Sequence, residues 1–143
     1  MSAQTATRIG GWAFVVTGVG HVTLSNLLPR ATGDLLAVER QMAQARFPMP
    51  PSHSIAELMQ GFSVAMSLLL VAWGVSVLLA TRQGRTPDPA QVGLSLGLSL
   101  ALLVTAVLLL PAPPIVLMTV ASVAFTVALR TSSRRATPVV AGT

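Results

Sequence analysis

Residues 55–80 read IAELMQGFSVAMSLLLVAWGVSVLLA, and this run decides the fold class. Its only charged residue is Glu57, close to its start. A helix needs about 20 apolar residues to cross a hydrocarbon layer about 30 Å thick, and this run exceeds that. Pro50-Pro51 precede it and Thr81-Arg82 follow it, so both ends carry breakers or polar groups. It reads as a transmembrane helix. The composition agrees. Of 143 residues, 52% are hydrophobic and 9% charged, and the mean hydropathy is +0.73. Soluble domains carry roughly 25% charged residues. A chain with this little charge cannot cover a globular surface in water.

Three further apolar runs surround the first. Residues 9–28, IGGWAFVVTGVGHVTLSNLL, lie between Arg8 and Pro29-Arg30. The run is long for the apolar part of a signal peptide, and no A-x-A-like site follows it, so a retained helix is expected. Residues 92–110, VGLSLGLSLALLVTAVLLL, end at Pro111. The last run, IVLMTVASVAFTVAL, follows Pro113-Pro114, which suit a first helical turn, and ends at Arg130. The expectation is an all-α, four-transmembrane-helix bundle forming one membrane domain over 1–143. Its spans lie near 9–28, 55–80, 92–110 and 113–129, and a flexible cytoplasmic tail follows at 131–143.

Arginine placement sets the expected topology. Arg8, Arg82, Arg85, Arg130, Arg134 and Arg135 share one side of a four-span chain, against Arg30, Arg40 and Arg46 on the other. Both termini are therefore expected in the cytoplasm. The net charge is +5 and the pI about 11.9. No basic face with interleaved aromatics accompanies this charge, which argues against nucleic acid. The arginines flank apolar runs, as anchors for anionic headgroups do. Lysine is absent while Ala, Val, Leu, Gly, Pro and Arg dominate, a pattern expected from a GC-rich bacterial genome and hence an inner-membrane setting. Trp12 and Phe47 fit interfacial anchoring, Trp73 fits packing, and the scattered methionines fit core filling.

The one long connection, 29–54, contains GDLLAVERQMAQARF, with Leu35, Val38, Met42 and Ala45 at helical spacing. Asp34 near the start and Arg46 near the end suit the helix dipole. A short amphipathic helix on the outer face is expected. The third span carries Gly93, Gly97, Ala101 and Thr105 at every fourth position, with Ser95 and Ser99 in a neighbouring row. The fourth carries Ala124 and Ala128 beside Ser122 and Thr126. Small residues let backbones approach closely where lipid removes the hydrophobic drive for association. The short 111–114 link makes spans three and four an antiparallel pair, although such a stripe serves dimerisation equally well.

The chemistry concentrates near the outer end of the first two spans. His21 lies seven residues, about 10 Å, inside Leu28. Thr17, His21 and Ser25 share a face, and Gly18 and Gly20 flank the ring. On the second span His53, Glu57, Gln60 and Val64 share a face, with Gly61 adjacent. Gln60 lies about 7–8 Å from Ile55, a depth similar to that of His21. An imidazole in lipid must find a partner, expected among Gln60, Glu57, Thr17 or a trapped water. Two readings follow: a polar clamp between helices, or a small site open to the outer face. In the second, His21 is ligand or proton carrier and Glu57 its counter-charge.

Without cysteine there is no disulfide, thiolate nucleophile, iron–sulfur cluster or Cys-type zinc site. His53 belongs at or beyond the membrane surface, which disfavours a bis-histidine haem or a His21/His53/Glu57 metal site. The serines lack a base and orienter. Neither cofactor, metal nor catalysis is expected.

Gly20-His21 in the first span and Gly61-Phe62-Ser63 at the start of the second together resemble small four-helix bacterial membrane proteins of the broad DoxX-like type. The resemblance covers about the first 80 residues and implies four packed membrane helices, with no assigned activity. Small multidrug exporters carry a glutamate in their first helix; residues 9–28 contain neither Asp nor Glu. The expected function is that of a helix-packing or partner-binding subunit whose partners are lipid, a second copy or a larger membrane protein. The alternatives are a transporter or ligand-binding bundle around His21, Glu57 and Gln60, and a membrane redox subunit or enzyme with a bound cofactor.

Overall fold

A computed structural model of the chain describes residues 1–27, 32–48, 52–82, 87–110 and 112–135. Among these the protein is all-helical: α1 (Ala3–Leu27), α2 (Asp34–Gln44), α3 (Ile55–Ala80), α4 (Pro89–Leu109) and α5 (Ala112–Arg135). There is no strand among them, only an isolated antiparallel bridge between Arg46 and Ser54.

The α3 boundaries match the expected span, and α2 occupies the expected place in the long connection. The other helices overrun their apolar runs for local reasons. α1 starts at Ala3 because Ser2 caps it: the Thr5 N–H donates to Ser2 Oγ at 3.1 Å. α4 starts at Pro89 because Asp88 accepts from the Ala90 N–H at 3.0 Å and proline suits the first helical position. α5 continues through Arg135, so the first five residues of the expected tail are helical. Residues 136–143 lie outside the described residues.

Among the described residues three helices are long and apolar enough to cross a membrane: Ile55–Ala80, Pro89–Leu109 and Ala112–Ser133. α1 is not among them. Its glycines and threonines, His21 and Ser25 dilute the apolar run that its length otherwise provides.

The chain divides into two compact units. The first comprises 1–17 and the chain from 70 onward. In it α1 and α3 run antiparallel at very close range. A Cβ on Gly74 would lie 2.6 Å from the Gly11 carbonyl oxygen, and one on Gly11 would lie 3.1 Å from Leu78. Gln4 Nε2 donates to the Thr81 carbonyl at 2.8 Å, satisfying one of the open acceptors at the end of α3. Phe14 and Phe125 are fully buried with ring centroids 6.2 Å apart, and the Phe125 ring occupies the space left by Gly10. Met118, Val77 and Val92 complete the core. Polar groups are matched as well. Trp73 Nε1 donates to Ser95 Oγ at 3.3 Å, and the Ser99 and Ser122 hydroxyls lie 3.0 Å apart across the α4–α5 hairpin. Among the described residues no buried side-chain nitrogen or oxygen lacks a partner.

The second unit comprises 18–69. Among its described residues the buried side chains are polar, Ser54 and Ser67, and no large apolar residue is buried. α2 has no buried residue, and Leu35 and Val38 on its expected apolar face are 69% and 50% exposed.

Candidate functional site

The polar residues singled out near the end of α1 and the start of α3 fall mainly in the second unit. α3 is started there by a capping box. The Ser54 N–H donates to Glu57 Oε2 at 2.7 Å, and the Glu57 N–H donates to Ser54 Oγ at 3.2 Å. The preceding chain is fixed by two backbone bonds, from Phe47 N–H to the His53 carbonyl and from Ile55 N–H to the Ala45 carbonyl. This arrangement brings His53 Nδ1 to 3.6 Å from Glu57 Oε2, both side chains being more than half exposed. An exposed pair of this kind contributes little to stability.

A groove of about 570 Å³ opens beside this pair, lined by His53, Glu57, Leu58, Gly61, Phe62 and Ala65. Gly61 forms part of its floor, with no atom within 4 Å of where a Cβ would stand. Phe62 is 70% exposed.

His21 is half-buried, and its Nε2 lies 2.6 Å from Ser63 Oγ. Either group can donate, according to the imidazole tautomer. The expected partners are placed elsewhere. Gln60 is exposed and makes no hydrogen bond among the described residues. Glu57 is engaged at its own helix end, and Thr17 donates to the Ala13 carbonyl at 2.7 Å. Ser25, on the exposed side, donates to the His21 carbonyl at 2.7 Å. The reason is a matter of level. Ser63 lies three residues, about 4.5 Å, deeper along α3 than Gln60. The expected depth match to Gln60 falls short: seven residues along from Ile55, as His21 is from Leu28, is Phe62, the neighbour of Ser63.

His21 and Ser63 thus form one polar link between helices, and His53 with Glu57 a second, more exposed cluster. Among the described residues no three His, Asp or Glu side chains gather as a metal-binding group.

The remaining residues, Gly93, Gly97 and Ala101, lie on α4 in the first unit. The α4 side that packs is formed by Val92, Ser95, Ser99 and Ala106, all buried. Gly97 and Ala101 are exposed and Gly93 half-buried, with no atom within 4 Å of an added Cβ at either glycine. The serine row, not the glycine stripe, meets α5.

Sequence reasoning missed Ser63, the Gly11–Gly74 approach and the capping box. The last had a readable signal, S-x-x-E directly before an apolar run, at Ser54–Glu57. The glycine approach did not, because two isolated glycines on separate helices carry no mark of facing each other. No family model, curated protein or solved structure matches the chain.

Proposed function

We propose that this chain is a bacterial inner-membrane protein of four spans, with α1 as the fourth, acting as a helix-packing or partner-binding subunit without catalysis of its own. The observation that carries this reading is the open stripe on α4. Gly93, Gly97 and Ala101 leave room for a second backbone at a position no described residue of their own unit fills. In lipid, where apolar side chains gain nothing by leaving the solvent, small residues on an open face are what promote close helix association. The DoxX-like resemblance of Gly20-His21 and Gly61-Phe62-Ser63 fits such a bundle, and arginine placement supports cytoplasmic termini.

The absence of cysteine makes the test direct. Single-cysteine chains Gly97→Cys and Ala101→Cys, oxidised in native membranes, should cross-link to a second copy or to a larger membrane protein. Thr119→Cys on α5, also exposed, should not. Equal cross-linking at all three sites, or none at the stripe, counts against the reading. Reporter fusions test the spans: four require both termini on the cytoplasmic side, whereas three separate them.

The groove beside His53 and Glu57 favours a second reading, a ligand-binding bundle taking an apolar molecule with a polar head. Binding of such a probe that Phe62→Ala weakens and Gly97→Leu leaves intact would move this reading ahead.

A further inference from the structure

A second groove lies in the first unit, at the end where α1 begins and α3 finishes. It has a volume of about 230 Å³ and is lined by Arg8, Trp12, Val75, Leu78, Leu79 and Arg82. Its lining combines two arginines with an apolar wall. Arg8 and Trp12 are one turn apart on α1, and Val75, Leu78 and Leu79 form the opposite wall on α3. Both guanidiniums are exposed, and neither makes a hydrogen bond or ion pair among the described residues. The nearby carboxylate in sequence, Asp88, is occupied in capping α4.

Helix stability does not account for both charges. Arg82 follows the C-terminus of α3, where the helix dipole favours a cation. Arg8 lies in the second turn of α1, where the dipole offers a cation no support. Trp12, 54% exposed, adds an amphipathic ring of the kind found at headgroup level. The groove is also held in shape, since the Gly11–Gly74 approach and the Gln4–Thr81 bond fix α1 against α3 around it.

The geometry points to a binding site for an anionic phospholipid, with Arg8 and Arg82 on the headgroup phosphate and an acyl chain along Trp12, Val75 and Leu79. Charge complementarity sets the occupant. Two arginines without an ion pair among the described residues, lining one groove with apolar side chains, suit a ligand with a negative head and a long apolar tail, and a bilayer supplies that at high concentration. The volume holds part of one acyl chain, with the remainder of the lipid in the bilayer.

Full-length protein extracted from vesicles of equal phosphatidylglycerol and phosphatidylcholine content should retain phosphatidylglycerol preferentially, read by lipid mass spectrometry. Each arginine near the surface contributes about fivefold to such a preference, so Arg8→Gln/Arg82→Gln should lower it by about thirtyfold. Arg40→Gln, on α2, should leave it unchanged. A second measurement needs no arginine variant. With Trp73→Phe, Trp12 is the only tryptophan. Lipid brominated close to its headgroup should then quench its fluorescence more steeply as phosphatidylglycerol than as phosphatidylcholine. Equal retention of the two lipids, an unchanged preference in the double variant, or equal quenching by both headgroups would each overturn the site. So would displacement of the lipid by inorganic phosphate, which would reduce it to a simple anion site.

Discussion

Phe14 and His21 stand two turns apart on the same side of α1, and their surroundings have little in common. Phe14 is wholly buried against Phe125. His21 is half-exposed and held by one hydrogen bond to Ser63. The contrast extends to the units they belong to. All the buried apolar side chains among the described residues lie in the unit of 1–17 and 70 onward, and none in 18–69. The first unit is ordered by shape, through glycines that admit a backbone or a ring and serines paired across helices. The second is ordered by polar bonds: a capping box, a short bridge and one imidazole–hydroxyl contact. Both expose large apolar side chains. Packing specificity thus resides in one unit, and both histidines, with Glu57, in the other.

Core truncation should strain this contrast most. Phe125→Ala removes a fully buried ring and leaves a cavity beside Gly10, costing about 3 kcal/mol. Reversible unfolding in detergent or bicelles measures it. Gly74→Ala comes next, at about 2 kcal/mol, because the added methyl meets the Gly11 backbone oxygen rather than a side chain that can turn away. Gly61→Ala, in the open unit, should instead be neutral or gain up to about 1 kcal/mol from helix propensity. If the two glycine variants behave alike, the division into packed and open regions is wrong. Ser54→Ala, which opens the capping box, should cost about 1 kcal/mol and speed amide exchange in the first turn of α3 before anything in α4 or α5.

What could be read in advance follows the same division. The long apolar runs gave the all-helical fold, and the boundaries of α3 and the presence of α2 were legible because breakers and charges bracket them. Helix ends that depend on a single polar residue, Ser2 or Asp88, lie outside any apolar run, so hydropathy alone misses them. On α4 the serine and glycine rows are equally small. Which one faces α5 depends on the Ser99–Ser122 contact between two helices, and periodicity within one helix does not encode it. At His21 the need for a partner was legible from the cost of an unpaired ring, but its identity was not. Matching depths point to Gln60, yet the contact is made by Ser63, three residues further along α3, which an approximate depth count does not separate from Gln60.

The smallest effect bears most directly on that last point. Interhelical hydrogen bonds in membrane proteins contribute about 0.6 kcal/mol on average, because groups released by unfolding in lipid find other partners. His21→Leu and Ser63→Ala should each cost about that much. The double variant should cost little more than either one, since both remove the same bond. Gln60→Leu should change nothing, because its side chain is exposed and bonds to no described residue. Full additivity of His21→Leu and Ser63→Ala would mean that the 2.6 Å contact carries no coupling. A cost at Gln60 that disappears in the His21→Leu background would restore Gln60 as the partner in place of Ser63. With coupling to Ser63 alone, His21 is a clamp between α1 and α3, and ligand chemistry in this unit belongs to the His53–Glu57 groove, whose lining does not include His21.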